Sequence, residues 1–332
     1  PHPGANKADP GRSGLECLYL TSTHTKDSLR ANGVKPPFGY YGAKHRIANQ
    51  IIDLLPPHNA WVEVFCGSAA VTLRKPPSPI EVINDLDGEI ANLFRQLRKN
   101  PEELCRAIAL TPYDRSEYQS ARKALGDGTP LERARRFLIA SMMTVNSSPA
   151  HSSAGFSHSN SFTRSGKEAR VSRWYNLPER LENVVERLRG VRVENRDARE
   201  IVKMFVDRPA TLLYLDPPYV GDHSHTYRIQ DKTDEFHTEL LSLCDKSSAM
   251  VLVSGYENTL YNKLLNRKRG WRKRSIETST RGTRGKDEPR TEVLWMNDSF
   301  VQALDTGRIP IRLSAAETKQ RKINPLRQHG IG

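Results

Sequence analysis

The chain has 332 residues, 37% hydrophobic and 27% charged, with 51 Lys and Arg against 38 Asp and Glu and a net charge of +13. That is enough for one large or two modest domains, and no apolar run approaches the roughly 18 residues of a membrane span. The basic balance points to a polyanionic partner, nucleic acid before others, with a merely solvated basic surface as the alternative.

Residue 1 is not Met, and no charged start runs into an apolar stretch, so no secretory signal is expected. Cys17, Cys66, Cys105 and Cys244 are far apart and form no CxxC pair, which reads as a reduced, cytosolic protein without a zinc cluster. Residues 1 to about 34, rich in Pro, Gly, Ser, Thr and Lys, read as disordered. From Pro36 the character changes. Phe38-Gly39-Tyr40-Tyr41-Gly42-Ala43-Lys44 is a Gly- and aromatic-rich loop, followed by a helix with Ile47, Ile51, Ile52, Leu54 and Leu55 in one stripe, stopped by Pro56-Pro57.

A strand over 61–65 then meets Cys66-Gly67-Ser68-Ala69-Ala70, which opens a helix. A second strand over 81–84 delivers Asp85 at its end, and a helix over 87–98 follows. Strand, small-residue turn, helix and strand with a terminal acid is the layout of a nucleotide-binding α/β unit. The turn lets a ligand approach the backbone, and the acid can take two ribose hydroxyls. The plainer alternative is that Gly67 only permits a tight turn and Asp85 caps the next helix.

Residues 100–190 break the alternation. Helical patterns cover 101–109, 116–124 and 131–145, the last with Arg133, Arg135 and Arg136. Residues 146–173 are rich in Ser, His and Gly without apolar periodicity, which reads as a functional loop or a segment ordered by its partner. His151, His158 and the later His225 have no metal-ligand spacing. Leu181, Val184, Val185 and Leu188 mark an amphipathic helix.

Alternation resumes with a strand over 191–195, Asp197 just after it, a helix over 198–205 and a strand over 211–215. That last strand, Leu212-Leu213-Tyr214-Leu215, stops at Asp216-Pro217-Pro218-Tyr219. A buried strand ends this way when it hands its last side chains to a site. The prolines fix φ and supply no N–H, so the turn is stiff and its carbonyls are left to accept. Helix 235–245, strand 249–254, helix 256–266 and strands 271–277 and 291–297 complete the set, giving seven strands. The pattern is a doubly wound α/β sheet ending in a hairpin, with an inserted helical module and a polar, basic tail from Gln302.

From about Pro36 to Asn297 the chain resembles the Dam-like, D12-class DNA adenine-N6 methyltransferases, in particular their phage-type branch. Tyr40-Tyr41-Gly42-Ala43-Lys44 sits where that family has its N-terminal cofactor loop, and 62–69 occupies the motif that cradles S-adenosylmethionine. Asn84-Asp85 matches the ribose-binding acid, Asp197 the position near the cofactor's adenine, and Asp216-Pro217-Pro218-Tyr219 the catalytic tetrapeptide. The resemblance implies a Rossmann-like seven-stranded methyltransferase domain over 35–99 and 190–300, a target-recognition insert over 100–189, and a basic tail over 301–332. It implies S-adenosyl-L-methionine as cofactor, with no metal. Cofactor contacts are expected from Tyr40, Lys44, Glu63, Phe65, Gly67, Asp85, Asp197 and Asp216. Double-stranded DNA is the implied partner, with Arg133, Arg136, Lys263 and Arg267 as candidate phosphate contacts, each equally readable as a solvated face. A monomer in a prokaryotic or phage-infected cytoplasm is expected, with a cognate restriction enzyme as a partner such enzymes can have.

One position departs from the family. Its second cofactor-turn Gly is replaced by Ala69, which costs little at negative φ and is strained at positive φ. The chemistry implied is transfer of a methyl group to an amine whose lone pair is delocalised into a ring. The Asp216 carboxylate and Pro217 carbonyl would take both amine hydrogens and aim the lone pair at the methyl, and Tyr219 would stack on a flipped base. Lys44 reads either as an orienting or phosphate-contacting residue or as a plain exposed Lys. Competing readings are methylation of cytosine N4, an RNA base or a side-chain amide, and a DNA-binding regulator without turnover.

Overall fold

The computed structural model describes residues 33–40, 44–145, 155–159, 161–163, 166–220, 233–281 and 287–311. Tyr41, Gly42, Ala43, His151, His225, nearly all of the expected N-terminal disordered stretch and the tail from residue 312 lie outside the described residues. Seven strands are present: β1 (Ala60–Glu63), β2 (Ile80–Asn84), β3 (Val191–Glu194), β4 (Thr211–Leu215), β5 (Met250–Gly255), β6 (Arg272–Arg281) and β7 (Asp287–Met296). The helices are α1 (Ala48–Ile52), α2 (Ala70–Arg74), α3 (Gly88–Lys99), α4 (Pro101–Ala109), α5 (Arg115–Lys123), α6 (Pro130–Met142), α7 (Ala169–Tyr175), α8 (Leu177–Leu188), α9 (Ala198–Phe205), α10 (Asp234–Asp245), α11 (Thr259–Leu264) and α12 (Asp298–Thr306).

The strands form one sheet in the order β3-β2-β1-β4-β5-β7-β6. β1 to β5 are parallel, and β7 runs antiparallel to both β5 and β6. The apolar runs of β1, β4 and β5 are buried along their whole length, as parallel strands covered on both faces must be. Side chains alternate between layers. Leu213 and Leu215 pack with Val202, Leu240 and Tyr261 of α9, α10 and α11, while Leu212 and Tyr214 pack with Ile51, Val71 and Phe300 of α1, α2 and α12. The α/β, doubly wound Rossmann-like sheet with a C-terminal hairpin is therefore as the sequence pattern predicts.

The chain lays down β1, β2 and β3 in one direction, then returns to place β4 on the other side of β1. Strand order reverses between β1 and β4, and in open parallel sheets that is where a crevice opens beyond the carboxyl ends. Glu63 pairs in register with Tyr214, and Val64 N–H donates to the Tyr214 carbonyl at 2.9 Å, so the ends of both strands reach the crevice together.

Helix starts follow capping chemistry. Asp87 accepts from Glu89 N–H at the start of α3, Asp114 from Ser116 and Glu117 N–H at α5, and Thr129 from Glu132 N–H at α6. Four differences from the sequence reading stand out. The first helix ends at Ile52, three residues before the predicted stop. The stretch expected to lack structure over 146–173 carries the start of α7 and two isolated bridges, Thr144 with Phe156 and Phe162 with Glu168. The helix predicted over 256–266 is confined to α11, because Asn258 caps it by accepting from Tyr261 N–H. Past Gln302, where a tail is predicted, α12 continues to Thr306 with Phe300, Val301 and Ala303 buried. Three apolar residues too few to show a period were enough to dock that helix.

Candidate active site

Asp216 follows β4 directly, and its carboxylate is held from one side. Lys44 Nζ donates to Oδ1 at 2.6 Å and Ser254 Oγ donates to the same oxygen at 3.2 Å. Among the described residues Oδ2 has no hydrogen-bond partner. The adjacent Pro217 carbonyl receives no backbone hydrogen bond among them either. Two acceptors consecutive in sequence thus remain on a turn that proline ring geometry stiffens.

Lys44 is buried, which removes the reading of a plain exposed Lys. Besides Asp216 it reaches the Tyr219 hydroxyl at 3.1 Å and lies 3.5 Å from Glu292 Oε1. Burial opposes its charge, but Asp216, Tyr219 and Glu292 outweigh that and hold the ammonium well above the usual lysine range. Burial pushes the carboxyls of Asp216 and Glu292 up, with Lys44 pulling both back down. The Tyr219 ring stacks on Tyr256 with centroids 4.2 Å apart and planes at 24°, so the tetrapeptide ends in a two-ring aromatic wall.

The turn after β1 is tied to the end of β2. Gly67 N–H donates to Asp85 Oδ2 at 2.9 Å and Asp87 N–H to Asp85 Oδ1 at 2.9 Å. Asp85 therefore ties the turn to Asp87, the residue that caps α3, and burial pushes its carboxyl up to about 7 despite those two donors. Asn84 beside it donates to the carbonyls of Val64 and Arg196 and locks β2 between its neighbours. Gly67 has φ of +47°, and a Cβ there would stand 2.7 Å from Tyr40 Cδ1, so the Tyr40 ring lies directly on a bare backbone. Ala69 has φ of 54° and ψ of 39°, the left-handed geometry in which the substitution for glycine is strained.

Glu63 ends β1 and accepts from Thr72 N–H at 3.0 Å and from the Thr72 hydroxyl. Burial pushes it up to about 7, with the Thr72 bonds pulling the other way. Beyond it, Val64, Phe65, Asn84, Leu86, Arg196, Asp197, Ala198, Pro218 and Phe236 line one cleft at the carboxyl ends of β1, β2 and β4. Asp197 caps α9 through Arg199 N–H, and the Arg199 guanidinium grips both its oxygens at 2.9 and 2.8 Å. The structure thus brings Phe65, Asp197 and Pro218 to one slot, and Lys44 and Asp216–Tyr219 to its neighbour.

Two basic candidates have partners inside the protein. Arg133 forms a forked pair with buried Glu89, and Arg136 binds Glu132 at 2.8 Å and the carbonyls of Ala124 and Asp127. Lys263 and Arg267 are exposed, on α11 and the single helical turn that follows it. Among the described residues no group of three or more His, Cys, Asp or Glu is disposed to hold a metal ion, and no helix is long and apolar enough to cross a membrane.

With the sheet order, the crevice and the Asp-Pro-Pro-Tyr turn in place, the comparison with known families is decisive. The profile of the D12 class N6 adenine-specific DNA methyltransferase family matches residues 40–278. The chain belongs to that family. It is 26% identical over 201 residues to the type II methyltransferase M1.LlaDCHI of Lactococcus lactis subsp. cremoris, covering 56% of this chain and 66% of that protein. It is 32% identical over 69 residues to the modification methylase StsI of Streptococcus sanguinis, covering 20% and 10%. The chain so spans just under two thirds of the first relative's length and a tenth of the second's. A solved precorrin 8w decarboxylase from Methanobacterium thermoautotrophicum aligns over 80% of this chain and 98% of its own at 11% identity, with a TM-score of 0.33.

In this D12 class protein two neighbours of the tetrapeptide escape a sequence reading. Ser254 lies near the end of β5 and Glu292 sits on β7, both buried against Lys44 or Asp216. The available signal was an acid just before the apolar run of the last strand, paired with Ile276 of β6 and buried.

Proposed function

We propose that this protein transfers a methyl group from S-adenosyl-L-methionine to N6 of an adenine flipped out of double-stranded DNA. The observation that carries the reading is the state of Asp216. One oxygen is fixed by Lys44 and Ser254, while the other has no donor to accept from among the described residues, and the Pro217 carbonyl is the next acceptor along the chain. Two parallel acceptors match the two hydrogens of an exocyclic amine. Accepting both draws the nitrogen toward tetrahedral geometry and leaves its lone pair directed away from Asp216. Charge that grows on nitrogen is then stabilised by a carboxylate already in place, so no reorganisation is needed during the step. Lys44 pulls the Asp216 carboxyl back toward its ionised form and orients it, and the Tyr219–Tyr256 wall gives a base a face to stack on, worth about 1–3 kcal/mol toward the cost of unstacking.

The cofactor fits the residues present. Gly67 leaves its backbone bare under the Tyr40 ring, a cradle that a single Cβ would fill, and the cleft from Phe65 to Phe236 is apolar with acid and amide groups at its rim. Tyr40, Glu63, Phe65 and Gly67 would hold it, with Asp197 at the far end and Asp85 keeping the turn in shape. When bound it supplies a sulfonium methyl, the electrophile that the amine attacks. The test is to incubate the protein with labelled cofactor and unmethylated duplex, digest, and identify the labelled nucleoside. Label on N6-methyladenine is expected; no label in DNA, or label on cytosine, overturns the reading.

A further inference from the structure

Several arginines in this protein are ion-paired with acids. Arg133 has Glu89, Arg135 has Glu117 and Glu132, Arg187 has Glu81, and Arg199 has Asp197 and Glu239. A cluster of three differs from these. Arg170 and Arg173 lie one turn apart on α7, and Arg180 follows on α8. All three are half-buried. Among the described residues neither Arg170 nor Arg173 has a hydrogen-bonded or carboxylate partner. Arg180 donates to the Pro37 carbonyl at 2.8 Å, and its Nε is buried without a partner among them.

The acids beside this group in sequence, Glu168 and Glu179, form no ion pair with it among the described residues. Glu168, next to α7, accepts from Ser159 N–H at 2.9 Å. Residues 133–167 contain no Asp or Glu at all, so that entire stretch supplies only neutral or basic side chains. The Tyr113 hydroxyl, close to Arg170 and Arg173, donates to the Ser157 carbonyl at 2.7 Å. Burial, with Arg170 adding to it, makes the Arg173 charge harder to hold, and burial with Arg173 does the same to Arg180, down to about 10. Collecting three guanidinium groups at a half-buried place without a counter-charge is costly, and an anion relieves that cost. The planar fork of guanidinium donors matches the oxygens of a phosphate, where it binds in a bidentate way.

The place is continuous with the active site. Pro37, which Arg180 holds, is followed by Phe38, whose ring meets that of Tyr40 edge-on at 6.0 Å, and Tyr40 lies on Gly67. We propose that Arg170, Arg173 and Arg180 form a phosphate-binding site that takes a backbone phosphate of the DNA substrate beside the catalytic cleft. The proposal rests on the duplex-DNA reading given above.

The test compares the full chain with Arg170→Gln/Arg173→Gln, which keeps the side-chain stems and removes two charges. Arg180 is left in place because it also secures Pro37. Binding to a fluorescent unmethylated duplex is followed by anisotropy over a range of salt concentrations. Every phosphate that is no longer neutralised makes the log–log salt slope shallower by about 0.9, so a change of about 0.9 and at least about a tenfold fall in affinity at low salt are expected. Cofactor affinity stays unchanged, and the melting temperature of the free protein does not fall, because repulsion has been removed. Arg170→Lys/Arg173→Lys restores the slope. A wild-type salt slope in the Gln variant overturns the site while leaving the DNA reading intact, and a clear drop in melting temperature, the mark of a structural role, also overturns it. Wild-type protein that binds no duplex overturns both.

Discussion

Lys44 Nζ and Asp216 Oδ1 lie 2.6 Å apart although 172 positions separate them in the chain, and both side chains are buried to 18% exposure or less. The loop before the first helix and the turn after β4 are thereby one unit. Lys44 also reaches Glu292 on β7, so a single ammonium answers two carboxylates at the centre of this cluster. Breaking such a buried pair by removing one member costs about 3–5 kcal/mol, because the other is left uncompensated. Lys44→Met is therefore expected to destabilise the protein by about that amount near pH 8.

The pH dependence of that variant has a definite sign. Burial already pushes the Asp216 and Glu292 carboxyls above their usual range, and removal of Lys44 pushes both further. A native state with raised carboxyl values binds more protons than the unfolded chain, so stability falls as pH rises through that range. Urea unfolding at pH 5 and pH 8 should show the Lys44→Met loss shrinking at the lower pH. An equal loss at both values would mean that the carboxylates are not what Lys44 compensates.

Asp216→Ala separates chemistry from binding. Lys44 keeps Glu292 and the Tyr219 hydroxyl as partners, so the variant should fold. Methyl transfer should fall by at least about a thousandfold, the scale of losing one pre-set electrostatic partner to the reacting group. Calorimetry should find cofactor affinity within a few-fold of wild type, since the cradle belongs to Gly67 and its surroundings. Loss of cofactor binding with transfer per bound complex preserved would assign Asp216 to the wrong role.

Much of this site is legible in the sequence alone. The apolar run of β4 ending at Asp216-Pro217-Pro218-Tyr219 announces a buried strand that stops at a stiff acidic turn, and the alternation around it gives the seven-stranded order its parts. What stays hidden is what pairing alone decides. Glu292 is one of several polar residues in a strand until the β6–β7 pairing and Lys44 bury it. The two oxygens of Asp85 hold the backbone N–H groups of Gly67 and Asp87, bonds between segments that sequence cannot orient. Arg133 and Arg136 look like a basic patch because their acids, Glu89 and Glu132, lie on a neighbouring helix or one turn back.

Gly67→Ala tests the cradle. Its Cβ would enter the space of the Tyr40 ring at 2.7 Å from Cδ1, and φ of +47° adds backbone strain of about 1 kcal/mol. The ring must move off the turn, so cofactor affinity should drop by about tenfold or more, while circular dichroism and duplex binding without cofactor stay close to wild type. Unchanged cofactor affinity would show that neither Tyr40 nor the bare backbone contributes to the cradle.

The neighbouring Ala69 predicts the opposite sign. Its left-handed φ of 54° forces Cβ toward the following carbonyl, a conformation costing about 1–2 kcal/mol for a residue with a side chain. Glycine relieves that strain but gives the unfolded chain more freedom, which returns about 0.4–1 kcal/mol. Ala69→Gly should therefore raise stability modestly, by up to about 1 kcal/mol, seen as a higher urea midpoint with an unchanged slope. The turn keeps its hydrogen bond from Ala69 N–H to the Cys66 carbonyl, so the cofactor cradle is not rebuilt and affinity should hold. A lower midpoint would mean that the small methyl group, fully buried against the sheet, stabilises more by packing than its backbone loses by strain.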